Sequence, residues 1–67
     1  MDNYWYKYLI VFSNDAVWSR TNLLRRWKSE SLISEALSLR YIEEIGTNDI
    51  KDPQYCITEL GKKKRDF

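Results

Sequence analysis

The sequence predicts a small α+β domain in which three helices precede a C-terminal antiparallel β-hairpin. Three observations lead there. Two short β-rich runs, Tyr41–Ile45 and Gln54–Thr58, flank a segment holding Gly46, Asn48, Asp49, Asp52 and Pro53. Those residue types favour turns, so the pair reads as a hairpin with a long polar tip. Upstream, Leu23, Leu24 and Trp27, and then Leu32, Ile33, Ala36 and Leu37, recur at helical spacing and give each segment one apolar stripe. Finally, a chain of 67 residues makes a single small core. A hairpin is not stable alone, so this one must lean on the helices.

The first element, Asn3–Phe12, fits either a buried strand or a short helix. The helix is favoured because Ser13, Asn14 and Asp15 then form a polar stop. On helical spacing Tyr4, Trp5, Tyr8, Leu9 and Phe12 share a face, while Tyr6, Ile10 and Val11 leave the other side apolar. That second side calls for cover, from the rest of the domain or from a second copy. Ser19 has the position of an N-cap, its oxygen within reach of the Asn22 amide, for a helix ending at Trp27. Arg20, Arg25 and Arg26 lie off the apolar stripe of that helix. Lys28 to Ser31 interrupt the pattern, and Ser29 or Ser31 caps a third helix reaching about Leu39. Its opposite face shows Ser34, Glu35 and Ser38, and Arg40 follows its end. Two helices so closely spaced fit a helix-turn-helix arrangement, although no glycine marks the turn.

In the hairpin, Tyr41, Glu43 and Ile45 should point one way and Ile42 and Glu44 the other; Tyr55 and Ile57 oppose Cys56 and Thr58. Leu60 is expected to fold back onto the core, and Gly61 to end regular structure. Lys62 to Arg65 then form either a last helical turn or a mobile basic tail. No repeat, linker or low-complexity stretch divides residues 1–67, which read as one domain.

Composition narrows the function. With no histidine and one cysteine, neither a disulfide nor a cysteine–histidine metal site can staple the chain, so stability must come from aromatic packing or self-association. The three tryptophans, five tyrosines and two phenylalanines suit both. Acid–base catalysis lacks a poised group, and Glu43 and Glu44 point to opposite strand faces. The chain is read as a non-enzyme with no cofactor and no metal. No apolar run approaches the roughly 20 residues of a membrane helix, and Met1-Asp2 does not begin a signal peptide, so a cytoplasmic location is expected. Cys56 is expected as a reduced, half-buried strand residue. The net charge of +1 means that any basic patch must arise from uneven distribution rather than from bulk.

The order helix, short strand, helix, turn, helix, hairpin is that of a winged helix. RYIEEIG, a polar tip and YCITELGKK resemble the wing of MarR- and PadR-like bacterial regulators, carried here by Tyr41-Ile42-Glu43 and Ile57-Thr58-Glu59-Leu60-Gly61-Lys62. The resemblance is specific over about a third of the chain and architectural over the rest. It implies a winged helix of three helices and a two- to three-stranded sheet, with Ala16–Trp18 as the small extra strand. Ser31–Leu39 becomes the recognition helix, in a protein of bacterial or phage type. That helix departs from the pattern by exposing no Arg, Lys, Asn or Gln, the side chains that read base edges bidentately.

Two functions follow. In the first, the chain is a small DNA-binding protein, a transcriptional regulator or accessory factor. Ser29 and Ser31 with the amides of the helix start hold a phosphate, and Arg20 and Lys28 flank it. Ser34 and Ser38 touch phosphates or bases, Arg40 adds charge, and Lys51 at the wing tip reaches the adjacent groove. In the second, the same frame is a protein-interaction module without DNA. It is homodimeric in its simplest form, through Tyr4, Trp5, Tyr8 and Phe12, since Tyr and Trp are enriched at interaction hot spots.

Overall fold

The computed structural model describes residues 4–66. Helix α1 (Trp5–Leu9) runs on as a 3₁₀ segment, Ile10–Asp15, into the short strand β1 (Trp18–Ser19). Helices α2 (Arg20–Trp27) and α3 (Glu30–Ser38) follow, then strands β2 (Ile42–Thr47) and β3 (Pro53–Ile57), and a fourth helix, α4 (Glu59–Arg65). The sheet is antiparallel with order β1-β3-β2, so β3 is central. Its Pro53 is tolerated as the first residue of the strand. No helix among the described residues is long and apolar enough to cross a membrane.

The N-terminal segment is helical as favoured, but Ser13, Asn14 and Asp15 do not stop it; the chain tightens into 3₁₀ geometry and continues through Asp15. The last carbonyls of a helix need outside donors, and four side chains supply them. The Trp27 indole donates to the Tyr8 carbonyl at 3.0 Å, Ser13 Oγ to Ile10 at 2.7 Å, the Trp18 indole to Val11 at 2.9 Å, and Arg65 Nη1 to Phe12 at 3.0 Å. The first residue of the expected Asn3–Phe12 helix lies outside the described residues.

Trp5, Leu9 and Phe12 of this segment meet Leu23 and Trp27 of α2, Ile33 and Ala36 of α3, and Ile42, Tyr55 and Ile57 of the sheet in one core. Its centre is aromatic: the rings of Trp5 and Phe12 each lie 6.2 Å from Trp27, and Trp5 lies 5.3 Å from Tyr41. Such edge-on pairs add roughly 0.5–1.5 kcal/mol each beyond the area they bury. This is how so short a chain holds a core without a disulfide.

Caps fall where the sequence put them. Ser19 Oγ accepts from the Asn22 amide and Ser29 Oγ from the Leu32 amide, each at 3.3 Å, so Ser29 rather than Ser31 starts α3. The extra strand is Trp18–Ser19 rather than Ala16–Trp18, because Ser19 pairs with Gln54 while also capping α2. The glycine-free turn between α2 and α3 works because Lys28 takes left-handed backbone, φ 61°.

In the hairpin, Ile42 pairs with Ile57, Glu43 with Cys56 and Glu44 with Tyr55; then Ile45 drops out of register and Gly46 pairs with Gln54. That bulge ends the alternation expected for Tyr41, Glu43 and Ile45. Two further expectations fail at the C-terminus. Gly61 does not end regular structure but lies buried inside α4, whose first amides are capped by Thr58 Oγ1, 3.0 Å from the Gly61 amide. Leu60 does not plug the core and is 51 % exposed. Gly61 is the residue of this pair that faces inward, and its missing side chain lets α4 approach the Tyr41 backbone. The basic run Lys62 to Arg65 is therefore helix, not a mobile tail.

Candidate functional site

The hairpin tip is docked on the start of α2. Asn48 organises the connection: its Oδ1 accepts from the amides of Ile50 at 3.1 Å and Asp52 at 3.0 Å, and Lys51 turns through φ 61°. Asp52 then accepts from the Thr21 amide at 3.1 Å. Hydrogen bonds from the Thr21 hydroxyl first, then the Thr21 amide and the Ser19 hydroxyl, with the nearby Arg20 charge, hold the Asp52 carboxyl below the usual range. Arg20 donates to Glu30 at the start of α3, and the Tyr55 hydroxyl and the Glu30 carboxylate hold its guanidinium above its ordinary value. The start of α2, the start of α3 and the hairpin tip are thus tied together.

Of the expected nucleic-acid contacts, Arg20 is in this cluster but engaged by Glu30. Lys28 is exposed at the turn before α3, and Lys51 is exposed at the tip. Ser29 is half-buried and spends its oxygen on capping, and Glu30 puts a carboxylate beside the proposed phosphate seat at Ser29 and Ser31. Ser31, Ser34 and Ser38 are exposed, and their spacing puts them on one face of α3. Glu35 shares that face and accepts a 3.3 Å hydrogen bond from the Tyr4 hydroxyl. Arg40 stands apart from Arg20 and Lys28, after the far end of α3, with φ 63°.

The interaction residues divide. Trp5, 4 % exposed, and Phe12, 0 %, belong to the core and offer no contact surface; the helix turns both toward Trp27. Tyr8 is half-buried beside Trp27, and Tyr4 is exposed. Of the side expected to need cover, Val11 packs on the core, whereas Tyr6 and Ile10 stay exposed and line a groove of about 480 Å³ with Ser13, Arg65 and Asp66.

A second groove, about 540 Å³, was not legible in the sequence. Leu37, Arg40, Ile42, Glu43, Glu44, Thr58, Glu59 and Leu60 form it where the end of α3, the start of β2 and the start of α4 converge. The only local sign was Leu60, an apolar residue beside a buried glycine. Cys56 is half-buried on β3, its thiol 3.7 Å from Glu43 Oε1. Among the described residues, no three His, Cys, Asp or Glu side chains are grouped to hold a metal ion.

Comparison with protein-family models, with curated proteins and with solved structures gives no match for this chain.

Proposed function

We propose that this chain is a small winged-helix DNA-binding domain, a regulator or accessory factor that grips duplex DNA mainly by its phosphates. The order of elements and the β1-β3-β2 sheet support the winged-helix reading. One observation carries the nucleic-acid part. Three non-glycine residues among those described have left-handed backbone, Lys28, Arg40 and Lys51, and all three are basic. They sit before α3, after α3 and at the hairpin tip. An L-residue there costs roughly 1–2 kcal/mol, and Lys and Arg are not the types that adopt it readily. Strain kept at three loops, each time under an exposed cation, is a reason to look for a function in the cations.

In this reading α3 lies against the duplex with Ser31, Ser34 and Ser38 toward it, while Lys28, Arg40 and Lys51 meet phosphates on either side. Short serines and Glu35 give little base discrimination, so affinity is phosphate-driven. Titration of mixed-sequence duplex at rising salt tests this. About three phosphate contacts give a slope of log K against log salt near −3. Absence of binding even at low salt removes the proposal.

A second reading is favoured by the α3 face itself. Glu30 and Glu35 are exposed there beside the serines, and Tyr4 and Tyr6 are exposed on the N-terminal helix. A charge mosaic with exposed tyrosines suits a protein partner, or a homodimer, without DNA. Sedimentation across a concentration series tests the dimer, which now has to form through Tyr4, Tyr6 and Ile10 rather than Trp5 and Phe12.

A further inference from the structure

The groove at the start of β2 joins an unpaired strand edge, an apolar floor and an acidic rim. Among the described residues β2 pairs with β3 alone, so its other edge is left with unpaired backbone N–H and C=O groups. The lining takes Ile42, Glu43 and Glu44 in succession. Consecutive strand residues point to opposite faces, so the groove wraps the edge of β2 instead of covering one face. The register shift at Ile45 then bends the strand, and the straight edge ends where the groove ends. Leu37 and the exposed Leu60 provide apolar surface beside it. The rim sets the carboxylates of Glu43, Glu44 and Glu59 against the guanidinium of Arg40, with Lys62 Nζ 3.6 Å from Glu59 Oε1, so acid still outnumbers base.

We infer that this groove docks an extended segment of a partner protein in which lysine or arginine alternates with apolar residues, added as a further strand along β2. Backbone pairing supplies affinity in such strand addition, and pockets beside the edge select alternate side chains. Charge complementarity chooses a basic segment and steers its approach. The same carboxylates count against a second copy of this chain, because pairing two β2 edges brings Glu43 and Glu44 against their own kind. They repel a phosphate backbone as well. Arg40 is shared with the DNA reading, but the peptide and duplex titrations are separate measurements, so each can fail without the other.

The test uses the full chain, isotopically labelled, titrated with a hexapeptide alternating lysine and valine and with its glutamate–valine counterpart. The basic peptide is expected to shift the amides of Ile42, Glu43, Glu44, Glu59 and Leu60, and to bind about tenfold or more tighter than the acidic one. Glu44→Lys and, separately, Leu60→Asn should each weaken it by about tenfold with an unchanged circular dichroism spectrum. Both side chains are exposed, so the fold does not depend on them. Equal binding of the two peptides, shifts confined to the α1 groove, or full affinity in both variants overturns the assignment. Concentration-dependent shifts of the same amides without peptide give the groove to a second copy, and likewise overturn it.

Discussion

Asp52, at the end of the hairpin connection, accepts the backbone amide of Thr21 in the first turn of α2, so the tip of the hairpin is held by the helix that follows the first strand. A carboxylate at the start of a helix is favoured by the unpaired amides there. The contact spans 31 residues of sequence and fixes Lys51 relative to Arg20 and Glu30.

This contact predicts an acid-sensitive hairpin. The Asp52 carboxyl is held low, chiefly by the Thr21 hydroxyl, so its folded-state pKa lies below that of the unfolded chain, about 4. Its contribution is complete above that unfolded value and is lost as pH falls through the lowered one. Thermal unfolding of the wild type should therefore drop on the acid side, and Asp52→Asn should drop less steeply. Asp66, held low by the hydrogen bond from Arg65, retains part of the slope. Identical pH profiles for the two proteins count against the contact.

Gly61 gives the second prediction. A Cβ there would collide with the Tyr41 carbonyl oxygen and lie 2.7 Å from Ile57 Cγ1. Gly61→Ala should cost about 1–3 kcal/mol by overpacking, although alanine is the better helix former by about 1 kcal/mol. In a domain of this size that lowers Tm by roughly 4–8 °C per kcal/mol. A raised Tm would show that α4 does not approach Tyr41 so closely.

Trp27 joins two elements through one indole. Its ring packs on Trp5 and Phe12, and its N–H serves the Tyr8 carbonyl at 3.0 Å. Trp27→Phe keeps an aromatic ring and removes the donor, leaving a half-buried carbonyl unmet, at about 1–3 kcal/mol. Chemical denaturation should show the midpoint moving down with its slope unchanged.

What could be read from the sequence was local. Ser19 and Ser29 announced their helices because a cap needs only an oxygen three residues ahead of an amide. Alternation set Tyr55 and Ile57 apart from Cys56 and Thr58, and Ile42 apart from Tyr41 and Glu43, without saying which side meets the core; Ile42, Tyr55 and Ile57 do. The misreadings came from partners distant in the chain. Ser13 to Asp15 looked like a stop, since nothing nearby shows that Trp18, Trp27 and Arg65 would satisfy the preceding carbonyls, the last across 53 residues. Gly61 looked like a breaker for the same reason, because only the approach of Tyr41 makes a glycine useful inside α4. Of the candidate DNA contacts, residue type was legible; the half-burial of Ser29 and the Glu30 partner of Arg20 were not. Nor was the groove, whose walls come from two stretches, residues 37–44 and 58–60, distant in the chain.

Lys28 separates stability from function. Its left-handed backbone costs roughly 1–2 kcal/mol, and glycine relieves this while giving back roughly 0.5–1 kcal/mol of unfolded-chain freedom. Lys28→Gly should therefore leave stability equal or raise it by up to about 1 kcal/mol, whereas Lys28→Ala removes the charge and keeps the strain. If Lys28 meets a phosphate, both variants lose DNA affinity, and the salt slope shrinks by about 0.9 in each. A glycine variant that is more stable yet weaker on DNA assigns the strain to binding. A variant that is more stable and binds as before leaves Lys28 as a turn residue only and removes it from the interface.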